Sequence, residues 1–256
     1  MRKIVKIVFL FIKCFILFIA LWATTSSTVK NVEKLIYVEQ FKSRGEYQDS
    51  ISTNQIKFYK VAANEKEDSK RPAYLSNGST IYPGSKGDIL VSTQATLVNP
   101  FISGIVTYYV GGHATIVVDD YFDYQVEANN RSSVEATGLS PYDNRSVITD
   151  RSYWTEKGPF TEVIGLRVNL SESEIKEVVS NAISLVGDDY NYSFLFDTDK
   201  KSYCSDIVTK AFSHVNVNLN KDSFATTIYD LIVADKTYIS YYSFYEENVL
   251  NVYYLG

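Results

Sequence analysis

The sequence predicts an α+β protein, in which strands, a long helix, a second helix and further strands follow one another instead of alternating as β-α-β units. Three observations predict it. Apolar runs bounded by glycine or proline mark strands at residues 87–92, 113–118 and 163–168. Ser171 and Glu174 form a capping box, after which Ile175, Val178, Val179, Ala182, Ile183 and Val186 recur at helical spacing until Gly187. The stretch 238–255 is rich in tyrosine and β-branched residues and reads as one or two strands.

Taken in order, the chain opens with Arg2, Lys3 and Lys6 ahead of a run from Ile7 to Trp22 that is apolar except at Lys13 and Cys14. Small and polar residues, 23–28, follow. This is the layout of a secretory signal peptide, with Ala23 and Thr25 as the small positions before a cleavage point; an uncleaved anchor is the alternative. Lys13 weighs against a spanning helix, because a charge at the bilayer centre costs about 2.5–3.5 kcal/mol on insertion scales. Residues 1–25 are therefore set apart as signal peptide or N-terminal anchor. Residues 26–80 form an N-terminal helix and polar extension: Val29, Val32, Leu35 and Ile36 suit one face of a helix over 29–41, and 42–80 is polar and irregular. The main domain, 81–256, opens near Pro83-Gly84.

Within that domain the strand at 87–92 is followed by a long apolar connection, 95–110, leading to the strand at 113. Residues 124–128 and 132–136 suit further strands. The helix capped by Ser171 comes next, and a second helix starts near Tyr203, with Ile207, Val208, Ala211 and Phe212 on one face.

Composition narrows the function. The 256 residues are ample for a real core, and a hydrophobic content of 45% excludes wholesale disorder. The formal net charge of -5, with no Lys/Arg cluster beyond the first residues, argues against a nucleic-acid partner. Two histidines and one cysteine beyond the leader are too few for the usual zinc sets, the acidic pairs lack a calcium-loop pattern, and no glycine-rich phosphate loop with its lysine occurs. No metal and no cofactor is expected.

What remains is a thiol and an imidazole. Cys204, in Tyr203-Cys204-Ser205-Asp206, sits where a loop becomes a helix, and a helix N-terminus favours a thiolate. His113 follows Gly111-Gly112 at the start of an apolar strand, a rigid and closely approachable mount for a base. His214 lies at the far end of the cysteine helix, about 15 Å away at 1.5 Å per residue, and is a poor base for Cys204. A third polar group should orient the imidazole from a neighbouring strand. Glu127 suits a tight hairpin beside His113 and Glu135 a longer excursion, and both stay open, with a slight preference for Glu127.

The segments GDILVS, GGHATIVV, a following V-E-A, then GDDYNYSF and YCSDIV resemble the YiiX-like, NlpC-related cysteine hydrolases of the circularly permuted papain-like fold. The resemblance covers roughly residues 83–212, in the order histidine, polar residue, cysteine. It implies an antiparallel sheet packed against a helix pair that carries the cysteine. It further implies Cys204 as nucleophile, His113 as base and one glutamate as orienting acid, with Tyr190 or Tyr192 donating to the oxyanion. The expected activity is amide hydrolysis, foremost of cell-wall peptides because the leader exports the chain. Acyl transfer or hydrolysis on lipid or acyl-amino-acid substrates is the first alternative, and a non-catalytic binding protein the second. The implied partners are a peptide or acyl-amide substrate, and a membrane or cell wall met through the N-terminus.

Overall fold

The computed structural model describes residues 2–68, 71, 81–97, 99–129, 144–155, 158–194, 200–220 and 225–256. Among these, eleven strands form one sheet in the order β1-β2-β11-β10-β7-β3-β4-β5-β6-β8-β9. In chain order they are β1 (Gly45–Tyr47), β2 (Ile56–Val61), β3 (Ile89–Ser92), β4 (His113–Val117), β5 (Tyr124–Asn129), β6 (Arg145–Asp150), β7 (Glu162–Val168), β8 (Asp189–Tyr190), β9 (Lys201–Ser202), β10 (Thr237–Glu246) and β11 (Val249–Leu255). Every pairing is antiparallel except β11 with β2 and β8 with β9. The helices are α1 (Arg2–Lys42), α2 (Pro100–Tyr109), α3 (Glu172–Ser184), α4 (Cys204–Ser213) and α5 (Ile228–Val233), with a 3-10 turn at Arg151–Trp154.

The central strands are buried on both faces, which is why they read as continuous apolar runs. Successive side chains alternate between two cores. Ile89, Val91, Ile116, Val126, Ile164 and Leu166 meet the helices, where Val178 and Ala182 of α3 and Ile207, Val208, Ala211 and Phe212 of α4 lie buried. Leu90, Val117 and Val163 point the other way, into a second core with Tyr82, Phe122, Tyr153, Trp154 and Phe160. Each fully buried aliphatic side chain is worth about 1.5–3 kcal/mol relative to an exposed one. The expected antiparallel sheet against a helix pair is thus present, and the capping box at Ser171 is formed.

Several local expectations differ from the structure. The apolar connection 95–110 contains a helix, α2, whose Asn99 side chain accepts from the N–H groups of Phe101 and Ile102 behind a proline at its start. The polar stretch after residue 42 is not all irregular, because β1 and β2 extend the sheet along β11. The strand expected at 132–136 lies outside the described residues, whereas β6 supplies the partner of β5.

The largest revision concerns α1, which runs unbroken for 41 residues through the apolar N-terminal stretch and the segment that follows it. Its predicted inner face is turned outward: Val29, Val32, Leu35 and Ile36 are all exposed. Ion pairs set the docking instead. Lys30 reaches the buried Asp230 at 2.6 Å and Lys34 reaches Glu162 at 2.7 Å, while Val38 and Phe41 enter the core. A buried carboxylate, Asp230, and a half-buried one, Glu162, demand cations, and that demand outweighs a moderate apolar stripe. By length and composition α1 could cross a membrane, with residues 7–19 largely exposed.

A buried ion network pins β3 to β7. Arg167 donates from Nε and from an Nη to the two oxygens of Asp88, at 2.8 and 2.6 Å, and Arg71 adds a third bond at 2.7 Å. Removing one partner strands a charge in the interior. Arg167→Ala is expected to cost about 3–5 kcal/mol of unfolding free energy, read from the urea midpoint of the full chain. A loss below about 1 kcal/mol would mean that Arg71 alone satisfies Asp88.

Candidate active site

Strand β4 begins at His113 because the two glycines before it let the chain pass closely by its neighbours. Gly111 has φ of +91°, a conformation that L side chains rarely adopt. At Gly112 an added Cβ would fall 2.2 Å from the carbonyl oxygen of Gln94, so no side chain fits there. The Gly112 N–H donates to the Ser92 carbonyl at 3.1 Å, which ties the start of β4 to the end of β3. Its carbonyl lies 4.0 Å from the Cys204 Sγ.

Cys204 is the first residue of α4, after Tyr203 in extended conformation. The helix is held by its apolar face, with Ile207, Val208, Ala211 and Phe212 fully buried. That packing fixes where the thiol points. Cys204 itself is 7% exposed, as is His113.

His113 lies between two polar side chains. Its Nε2 is 2.8 Å from Oε2 of Glu127 on β5. Cys204 also lies close enough to the ring to favour its charged form, while its Sγ faces the Gly112 carbonyl at 4.0 Å. Burial works against the imidazolium, yet the charge of Glu127 and the contact with Cys204 outweigh it and raise the His113 pKa to about 10. The ring is therefore held protonated at neutral pH.

The geometry follows from strand register. Ile116 pairs with Val126 and Val117 with Gln125. Carried back along the two strands, that register sets Asn129 opposite His113 and Glu127 one diagonal step away on the same face. Asn129 Nδ2 donates to Glu127 Oε1 at 3.2 Å, and the Trp154 indole N–H donates to Oε2 at 3.3 Å. The Trp154 ring also stacks on His113, with centroids 5.8 Å apart and planes 11° from parallel. Phe160 and Tyr153 complete an aromatic wall around the imidazole. One oxygen of Glu127 thus faces both the histidine and the indole, and neither ring can turn freely.

Of the residues singled out from the sequence, the structure brings together Cys204, His113 and Glu127. Glu135 lies outside the described residues. Tyr190 is buried beside Tyr203 and Ala128. Tyr192 is 59% exposed and donates its hydroxyl to Asn144 Oδ1 at 2.6 Å, so that hydroxyl is engaged away from the cysteine. His214 caps the far end of α4. Among the described residues no cluster of three or more His, Cys, Asp or Glu is placed to hold a metal ion.

Sequence reasoning overlooked Asn129 and Trp154. Asn129 had a signal, since it stands two residues after Glu127 and so on the same strand face. Trp154 had a weaker one, as the only tryptophan beyond Trp22. The arrangement is a thiol at a helix start, an imidazole beside it, and a carboxylate hydrogen-bonded to the imidazole. Such a set can deliver a nucleophile and then a proton to a leaving group.

A model of the permuted papain-like amidase enzymes, YaeF/YiiX, C92 family, matches residues 84–248. Among solved structures, that of metalloprotein yiiX from Escherichia coli O157:H7 is similar, at 15% identity and a TM-score of 0.45, covering 60% of this chain and 95% of that one. No curated protein matches.

Proposed function

We propose that this chain, which belongs to the permuted papain-like amidase family, YaeF/YiiX, C92, hydrolyses amide bonds through Cys204, His113 and Glu127. Family membership makes it a cysteine amidase; the assignment of roles to residues is our reading. The Cys204 sulfur attacks the carbonyl carbon, and the tetrahedral intermediate collapses with transfer of the His113 proton to the departing amine. Water then adds to the thioester, giving up a proton to His113, and the C–S bond breaks to release the acid and restore the Cys204 thiolate beside protonated His113. Glu127 holds the imidazole in the orientation that serves both steps and stabilises its charge.

The observation that carries this is the 2.8 Å hydrogen bond between His113 and Glu127 beside the Cys204 thiol, held in place by Trp154. For the oxyanion, the backbone N–H of Cys204 at the start of α4 is the first donor, with Tyr190 as its proposed companion. We take cell-wall peptides as the substrate, because the apolar N-terminal helix suits an exported, envelope-held enzyme. Acylated amides are the second reading, favoured by the uncharged, outward-facing α2 beside the site.

Two measurements test this. Iodoacetamide should label Cys204 faster than it labels free cysteine near neutral pH, read peptide by peptide to separate it from Cys14. Labelling no faster than free cysteine overturns the nucleophile assignment. Turnover of muropeptides set against N-acyl amino acids then decides the substrate class.

A further inference from the structure

Helix α2 is built inside out. Its polar side faces the protein: Ser103 Oγ donates to the Ala95 carbonyl, the Ala95 N–H donates to Thr107 Oγ1 at 3.0 Å, and Tyr229 donates to the Thr107 carbonyl at 2.7 Å. Its apolar side faces out. Phe101 is 77% exposed, Ile102 50% and Ile105 46%, and no residue of the helix is buried. From Ser92 to Gly112 the sequence carries no charged residue. An ordinary water-facing helix shows the reverse pattern, with charges outside.

The position of α2 says what covers it. Its C-terminal end is tied to α1 over the turns that follow the long apolar stretch, at Thr24, Thr28 and Asn31. Tyr109 shares a hydrogen bond of 3.0 Å with Thr24, and Tyr108 one of 2.6 Å with Thr28. Asn31 Nδ2 adds a bond to the Tyr108 carbonyl at 3.1 Å. Residues 7–22 of α1 rise about 24 Å at 1.5 Å per residue, close to the hydrocarbon thickness of a bilayer, and end at Trp22. Trp22 and the α1 residues that hold Tyr109 and Tyr108, Thr24 and Thr28, therefore fall within about 9 Å along the helix at 1.5 Å per residue, as aromatic residues gather at a membrane–water boundary. The exposed Val29, Val32 and Ile36 prolong the apolar surface along α1.

We infer that α2 lies in the lipid interface as a second membrane contact, with its Phe101, Ile102 and Ile105 side in the acyl region of the leaflet from which α1 emerges. The occupant is the bilayer, because the apolar surface of α2 adjoins the segment of α1 that suits a bilayer. The consequence for the active site is positional. Only Val110 and Gly111 separate Tyr109 from Gly112, so Gly112 is held within about 11 Å of chain length from the end of α2, and its carbonyl lies 4.0 Å from the Cys204 sulfur. The inference rests on surface chemistry alone and stands or falls separately from the amidase reading.

Site-directed spin labelling of the full chain tests it. In a Cys14→Ser, Cys204→Ser background, single cysteines replace Ile16, Ile102, Ile105 and Lys236, and the labelled chains are reconstituted in vesicles of phosphatidylethanolamine and phosphatidylglycerol. All four sites are exposed, so the fold tolerates the labels. Labels at 102 and 105 should lose accessibility to a water-soluble nickel complex while remaining accessible to oxygen, as the label at 16 does, whereas 236 stays accessible to nickel. Nickel access at 102 and 105 equal to that at 236, with 16 protected, overturns the inference while leaving the anchor intact. Dipolar broadening at 102 and 105 without oxygen preference also overturns it, since a second copy of the chain would then cover the helix.

Discussion

Cys204→Ala is expected to abolish amide hydrolysis, lowering kcat on the order of 10⁶-fold, the scale of loss when a covalent nucleophile is removed. The reason lies in the geometry. His113 is engaged by Cys204 on one side and Glu127 on the other, and the remaining donors around it, Trp154 and Asn129, bond the carboxylate instead of presenting a second nucleophile. The substitution removes one sulfur from a helix whose position is set by Ile207, Val208, Ala211 and Phe212, so the fold persists and the loss reports on chemistry. Equal turnover by the native chain and Cys204→Ala, on muropeptides or on acyl amides, would exclude Cys204 as the essential nucleophile.

Glu127→Gln is the second large effect. The amide keeps the size of the carboxylate and discards its charge, which is the principal force raising the His113 pKa to about 10. An uncharged partner also leaves the imidazole free to adopt the wrong tautomer. The corresponding loss in a nucleophile–base–acid site is about 10⁴-fold in kcat. The pH profile gives a sharper test. With His113 supplying the proton to the leaving amine, the native rate should fall as pH climbs through about 10, where the imidazolium is lost. In Glu127→Gln burial is no longer opposed by that charge, so the alkaline fall should move to lower pH. An unchanged profile would show that Glu127 does not govern the histidine.

The same shift bears on stability. The His113 pKa is raised from 6.5 to about 10, so the charged pair adds stability that is fully present below about pH 6.5. That contribution is lost as pH rises towards 10. Unfolding free energy measured across this window should decline more steeply in the native chain than in Glu127→Gln.

Trp154 has a supporting part in both effects. Its ring lies flat against the imidazole while its N–H reaches the same Glu127 oxygen, so one side chain limits the rotation of two others. It reaches the site from the 3-10 turn after β6, far along the chain from either partner. Proximity of that kind leaves no trace in spacing.

The sequence alone determined the parts that depend on local pattern. A thiol at a helix start, an imidazole behind two glycines, the capped helix at Ser171 and their order along the chain are all local facts, because helix caps, strand periodicity and glycine freedom act over a few residues. Tertiary structure decided the rest. Pairing of Ile116 with Val126 selected Glu127 as the neighbour of His113, and folding of β6 onto β5 delivered Trp154. Packing also reversed the expectation for α1, since Asp230 and Glu162, unseen from within the helix, drew Lys30 and Lys34 inward and left Val29, Val32, Leu35 and Ile36 outside. Which face of an element is buried depends on what the opposite surface offers, and a buried carboxylate offers more to a lysine than a sheet offers to a valine.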